Sequence, residues 1–252
     1  MRTHPQNSLI VQGACAAIVI VIGLCTSRAA HALAFQPTEA EWNTWPEHCQ
    51  ARYMVSAAGG DSPYVGRVPA ALVQSWQARL GPEVWYSLHH YCAGMIIAAR
   101  AKFQKTAKER EFLLRDAIEE FQFSLTRTPT THPMHAEIAA RKALAHRDLG
   151  EIDRAISILD SAISACTDCS AGYYAKAMIY RDNGQVTEAR KVLEQGNRAT
   201  EDKSPELHYL LGLVLADIKD YEAAQFQARE AYRLGYPQPG LRDRLARAGY
   251  AP

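Results

Sequence analysis

Asp148-Leu-Gly-Glu-Ile-Asp153, Asp182-Asn-Gly-Gln-Val-Thr187 and Asp217-Ile-Lys-Asp-Tyr-Glu222 begin 34 and 35 residues apart, and each stands between two amphipathic stretches of helical period. The same spacing runs through the flanks. Gly150/Gly184, Ala155/Ala189, Leu159/Leu193 and Ala162/Gly196 are 34 apart, and Ala189/Ala224 and Gly196/Ala231 are 35 apart. A fixed period of this size marks a solenoid, in which one unit cannot bury its apolar face alone and stacks on the next. Each unit reads as two helices joined by a short turn, with Ala or Gly where the helices approach closely.

The pattern resembles the tetratricopeptide repeat (TPR) family. That family has a small residue and an aromatic in the first helix, a turn, Ala-x3-large apolar, another small residue and a closing Pro. Ala143, His146, Gly150, Ala155, Leu159 and Ala162 match one unit over 136–169. Tyr173, Ala177, Tyr180, Gly184, Ala189, Leu193 and Gly196 match the second over 170–203, and Leu211-Gly212, Tyr221, Ala224, Ala228 and Ala231 the third over 205–238. The closing Pro is absent after the first unit, and Ala228 stands where a large apolar residue is expected. Upstream, Ala117-x3-Phe121 and Pro129 have the spacing of another second helix, with 83–103 and its Gly94 as partner. Gln104–Glu111 is longer than a repeat turn, so this hairpin is irregular.

The resemblance covers 83–250 and implies an all-α, TPR-type solenoid of helical hairpins. The organisation expected is a signal peptide or membrane anchor at 1–32, a Trp-rich helical cap at 33–82 (Trp42, Trp45, Trp76, Trp85), and the irregular hairpin at 83–135. Three repeat units at 136–238 and a capping helix and tail at 239–252 complete it. Thr38-x-x-Glu41 and Thr44-x-x-Glu47 start short helices in the cap, and Gly81 stops the helix that begins after Pro69. Leu241-Arg-Asp-Arg-Leu-Ala-Arg247 is the polar helix that a solenoid needs over its last apolar face.

Outside the repeats, Leu9 to Cys25 is a 17-residue run without charge, followed by Arg28 and the small-x-small site Ala30-His31-Ala32. That order is a secretory signal, with cleavage expected near Ala32, and the run is also long enough to anchor the chain in a membrane. The expected location is therefore the periplasm or the outer side of an inner membrane. Removing Arg2 and Arg28 leaves 26 basic against 27 acidic residues, so no basic face for nucleic acid is expected. A composition of 48% hydrophobic and 22% charged residues excludes a disordered chain.

Four cysteines remain beyond the apolar run: Cys49, Cys92, Cys166 and Cys169. Cys166-Thr-Asp-Cys169 falls at the end of a helix. There it closes a local disulfide, holds a metal, or acts as a redox couple, the last disfavoured because the dipole at a helix C-terminus opposes a thiolate. No His follows Cys169, which excludes covalent haem attachment. With that pair closed, Cys49–Cys92 is the natural second bridge in an oxidising compartment. The competing reading is a Zn or Cu site formed with His48, His89 and His90, although adjacent histidines on a helix diverge by about 100°. His132-Pro-Met-His135 reads as a loop entering a helix. Glu109/Glu111 and Glu119/Glu120 read as solvated faces, since positions one or two apart do not share a helix face. No resident metal, cofactor or catalytic residue is expected.

From the resemblance, the first helices carry a concave protein-binding groove at Leu144, Arg147, Tyr174, Met178, Arg181, Tyr209, Leu213 and Asp217. Arg147 and Arg181 are equivalent, which suggests a stacked basic pair facing a partner's carboxylate. The Asn that carboxylate-clamping members use is replaced by Leu144 and Met178. The resemblance thus implies a non-enzymatic envelope adaptor that binds a protein segment and supports a larger complex of pilus, secretion, polysaccharide-export or cytochrome-maturation type. The alternative is a periplasmic metal- or thiol-handling protein built on the Cys and His sets.

Overall fold

The structure, a computed structural model, describes residues 36–251, and the expected signal segment lies outside them. Every regular element among the described residues is a helix. Three short helices, α1 (Glu39–Thr44), α2 (Glu47–Met54) and α3 (Ala57–Gly60), precede the long α4 (Ala70–Ala101) and its partner α5 (Ala107–Leu125). Three hairpins follow: α6 (Pro133–Asp148) with α7 (Ile152–Ala165), α8 (Ser170–Asp182) with α9 (Val186–Ala199), and α10 (Pro205–Asp217) with α11 (Tyr221–Arg233). The last helix is α12 (Gly240–Arg247). Each first helix also packs on the first helix of the next hairpin, from α4 to α6, α8 and α10. This is the solenoid that the period requires.

The repeated turn has one local solution. Gly150 and Gly184 adopt φ of +81° and +74°, and the next N–H reaches back five residues: Glu151 N to His146 O at 2.9 Å, Gln185 N to Tyr180 O at 2.8 Å. The reach-back bond satisfies a carbonyl left without a partner at the helix end. One residue later the second helix starts. In the third hairpin the same bond forms, Asp220 N to Leu215 O at 3.0 Å, but the left-handed position is Lys219 at φ +63°. A side chain there crowds its own backbone and costs roughly 1–2 kcal/mol.

Close approach between helices is set by the missing side chains. A Cβ on Gly94 of α4 would stand 2.7 Å from Phe121 Cε1 of α5, and one on Gly196 of α9 would stand 2.9 Å from Tyr173 Cβ of α8. Ala143, Ala155, Ala177, Ala189, Ala224 and Ala228 are fully buried at equivalent contacts. These small residues let Leu159, Tyr173, Leu193 and Leu207 fill the space between hairpins.

The N-terminal helices are less separate than the sequence suggests. Trp42, Trp45, Tyr53 and Tyr64 share one continuous core with Leu88, Tyr91, Ile96, Leu114 and Phe121 of the α4/α5 hairpin. Trp42 stacks on Tyr64 with ring centroids 4.2 Å apart, and the Trp45 indole N–H donates to Cys92 O at 3.2 Å. Trp85, assigned to the cap by its composition, belongs to α4. The expected boundary at 82 is a kink within α4, where Gly81 has φ +73° and Pro82 follows. Arg100 of α4 clamps Glu41 of α1 with both carboxylate oxygens engaged, at 2.6 and 2.8 Å.

Two predictions follow from these elements. Lys219→Gly should raise the unfolding free energy read from urea titration by about 0.5–1 kcal/mol once the greater freedom of the unfolded glycine is subtracted, and Gly184→Ala should lower it by about 1 kcal/mol; equal shifts of one sign would contradict the turn assignment. The Arg100 guanidinium, outweighing burial, holds the Glu41 carboxyl down from 4.5 to about 2. The stability it contributes is therefore present above pH 4.5 and lost as pH falls toward 2. The gap in midpoint between wild type and Glu41→Gln should be constant above that window and close within it.

Candidate functional site

The inner face formed by α4, α6, α8 and α10 carries the candidate site. Met95, Ala98, Phe121, Ala140, Leu144, Tyr174 and Met178 line a cavity of about 580 Å³, with Lys102, Glu137, Arg141, Arg147, Asp148 and Glu206 among them. Of the residues expected in the groove, Leu144, Arg147, Tyr174 and Met178 meet here. Burial pushes the Tyr174 hydroxyl above the ordinary phenol range, and it is hydrogen-bonded to Tyr236.

The other four expected groove residues lie beyond the cavity, and three of them, Tyr209, Leu213 and Asp217, lie toward the C-terminal segment. Tyr209 stacks on Tyr236 with centroids 4.2 Å apart, and Leu213 packs against the core that α12 closes. Asp217 binds Arg244 of α12 at 2.6 Å. The chain after α11 thus folds back along α10 and takes up the face that the repeat pattern assigned to a ligand.

The stacked basic pair is corrected by the same geometry. Arg147 donates to Asp148 at 2.9 Å and to Asp182 of the next hairpin at 3.0 Å, and Arg181 donates to Asp217 at 2.6 Å. The physical cause is the solenoid step, which sets the aspartate of each following first helix beside the arginine of the preceding one. Both guanidinium groups are committed to internal carboxylates and do not form a positive clamp. Asp217 in turn lies below the ordinary carboxylate range, because its bonds to Arg181 and Arg244 outweigh its burial.

Several lining residues carry no motif. Tyr91, fully buried, donates to Glu137 at 3.1 Å, and Arg141 donates to the same oxygen at 3.0 Å. Ser170 hydrogen-bonds Glu206 across α8 and α10. Glu137 and Glu206 occupy equivalent places near the starts of α6 and α10, a signal the repeat alignment contains. Met95 and Lys102 come from the irregular hairpin, where the period gives no guide.

The cysteine and histidine sets resolve differently. Cys49 and Cys92 are disulfide-bonded, with Cα atoms 5.5 Å apart and both residues buried. Cys166 and Cys169 are bonded to each other, with Cα atoms 5.4 Å apart. His48 stacks on Tyr91, His89 Nδ1 lies 2.8 Å from Tyr86 O and 3.2 Å from Arg52, and His90 pairs with Glu120 at 2.6 Å. Burial above all, then His90 and Arg52, pushes His89 down to about 4. These histidines do not converge: among the described residues, the metal-like cluster is Cys166, Asp168 and Cys169. His132 is the N-cap of α6, accepting from Met134 N at 3.1 Å. Glu109 closes the capping box of α5, Glu111 pairs with Arg115, and Glu120 pairs with His90, so the acidic pairs serve separate structural contacts.

The helical placement of Cys166–Cys169 is also corrected. Cys166 is the C-cap of α7, whereas Cys169 is the N-cap of α8. Its sulfur therefore belongs to the positive end of a helix, opposite to the C-terminal setting read from the sequence.

The fold and the inner face define a solenoid of repeated helical hairpins. The family model described as "Tetratricopeptide repeat" matches residues 113–169 and 174–237. Such repeats build protein-interaction scaffolds with extended concave surfaces. No curated protein matches the chain. Among solved structures, the chain is similar to MamA, from residue 41 to its end, of Desulfovibrio magneticus RS-1: 18% identity, 66% of this chain, 83% of that one, TM-score 0.41. It is also similar to TTC0263, a thermophilic TPR protein of Thermus thermophilus, at 18% identity over 68% of this chain and 95% of that one, TM-score 0.44. Among the described residues no helix is long and apolar enough to cross a membrane.

The inter-repeat pairs yield a prediction. A double-mutant cycle on Arg181→Ala and Asp217→Ala should give a coupling of about 0.5–1 kcal/mol that weakens with salt, as for half-exposed pairs. Asp217→Ala should also detach α12 first, seen as earlier hydrogen exchange over 240–247. A coupling of zero would remove the ladder from the account.

Proposed function

We propose that this chain is an exported adaptor of a bacterial cell envelope, binding an extended segment of a partner protein in the cavity between α4, α6 and α8. The observation that carries this reading is the inner-face cavity itself, built from adaptable Met95 and Met178, rigid Tyr174 and apolar Leu144. Methionine reshapes to a ligand at little cost, and a fixed tyrosine supplies contact area with small entropy loss. With Arg147 and Arg181 neutralised, recognition rests on an apolar side chain of the partner entering the cavity. Lys102 and Glu206 at its borders orient the segment. The apolar run 9–25 and the site at Ala30–Ala32 support export, and assembly of a larger envelope complex is the role such a module would serve.

Photo-crosslinking in cells tests the reading. A photoreactive residue at Met178 should capture one partner protein, the same residue at Phe226 on exposed α11 should not, and Leu144→Glu should abolish the capture while far-ultraviolet circular dichroism stays unchanged. Capture from Phe226 but not from Met178 would move the working surface to the outer helices. Loss of export on shortening the 9–25 run would support the location, and unchanged location would refute it.

A further inference from the structure

We propose that Cys166–Cys169 is a thiol–disulfide exchange centre that accepts two electrons from a dithiol on a protein segment bearing basic side chains. The pair joins α7 to α8, and both residues are partly exposed, in contrast to the buried Cys49 and Cys92. Its two sulfurs stand in opposite fields. Cys169 is the N-cap of the 13-residue α8, and its side chain makes no capping bond, so the free N–H groups of the first turn are available to a thiolate. Cys166 Sγ lies 3.3 Å from Asp168 Oδ1, which disfavours a second negative charge but accepts a hydrogen bond from a thiol. The reduced pair thus has a place for one thiolate and one thiol.

The fold does not need the bridge. The turn is held by Cys166 N to Ala162 O at 3.0 Å and by the Tyr173 hydroxyl donating to Thr167 O at 3.0 Å. A bridge across a sequence separation of three constrains little of the unfolded chain. Reduction and reoxidation therefore leave the hairpins in place.

The step follows from the asymmetry. A partner thiolate attacks Cys166 Sγ, the S–S bond breaks, and its electron pair leaves on Cys169 Sγ as a thiolate at the α8 N-terminus, the better-stabilised leaving group. A second partner thiolate then attacks the partner sulfur of the mixed disulfide. It forms the partner's own disulfide and expels the Cys166 sulfur, which takes up a proton and donates to Asp168. One dithiol is oxidised and one disulfide reduced. Partner charge is set by the adjacent hollow, about 400 Å³ in volume, where Asp168 and Glu206 stand and Glu201 already holds Lys203. Anionic glutathione is repelled there, and a cysteine flanked by lysine or arginine is drawn in.

The test uses the full chain, redox buffers and peptide dithiols. Equilibration against graded dithiothreitol, with alkylation and peptide mapping, should show Cys166–Cys169 reduced while Cys49–Cys92 stays bonded and circular dichroism is unchanged. Limited alkylation of the reduced chain should modify Cys169 before Cys166. A Cys-x-x-Cys peptide flanked by lysines should react at least about threefold faster than one flanked by glutamates, with the difference shrinking in salt. In Cys166→Ser, the remaining Cys169 should form thiolate at lower pH than an unstructured cysteine, read by ultraviolet absorbance. Reduction of both bridges together on unfolding, equal alkylation of the two sulfurs, or an ordinary titration of Cys169 would each overturn the proposal. Equal rates for the two peptides would overturn its substrate class.

Discussion

The distance at which one hairpin meets the next is the constraint on which the rest of this molecule depends. Ala143, Ala155, Ala177 and Ala189 are buried to the last ångström, and at Gly94 and Gly196 even a methyl group would collide with an aromatic side chain. Residues this small bury little apolar area themselves. Their contribution is to admit Phe121, Leu159, Tyr173 and Leu193 into contact on both sides. Because each hairpin is completed by its neighbour, the array has two unsatisfied ends. Trp42 of α1 and Trp45 at its C-cap cover the first, and Leu241 and Leu245 of α12 cover the last.

The helical array was legible because its signals are local. A period of small residues, a glycine at two of the three turns and alternating polar faces need no tertiary knowledge, and they place α6 to α11 within a few residues. What could not be read depends on positions across repeats or on single-residue boundaries. Lys219 occupies a left-handed site that its identity does not announce. The pairing of Arg147 with Asp182 follows only once the step between hairpins is known, although Asp148, Asp182 and Asp217 recur as regularly as the arginines do. Cys169 lies one residue before α8 rather than within the end of α7, and that reverses the sign of the helix field at its sulfur. Three of the eight expected groove residues, Tyr209, Leu213 and Asp217, meet the C-terminal segment, whose fold-back no periodicity encodes.

The aspartate pairing changes the charge that the inner face presents. A pair of unpaired arginines would favour acidic segments at long range, with strong salt dependence. Arginines held by aspartates from the next repeat instead tie hairpins together and leave a recess whose charged lining residues balance. In the proposed role a partner would be chosen by shape and apolar area, and the ladder that removed the charge also ties together the helices that form the recess. In that role stability and specificity would draw on the same residues, and substitutions in the ladder would alter both.

The two disulfides show how context divides one chemistry into two roles. Cys49–Cys92 spans 43 residues, joins α2 to α4 through a core of aromatic rings, and offers no sulfur to solvent. Its loop is long enough to contribute about 2–4 kcal/mol by restricting the unfolded chain. Cys166–Cys169 spans three residues in a turn already closed by backbone bonds and a tyrosine hydroxyl, and both sulfurs belong to partly exposed residues. Evolution of a repeat junction needs no covalent bond there, since the hand-over from α9 to α10 is made by Ser204 capping Leu207 N without any cysteine. A bridge that adds little to the fold, placed where one of its sulfurs gains from a helix field and the other from a carboxylate, is best explained by the chemistry of its opening.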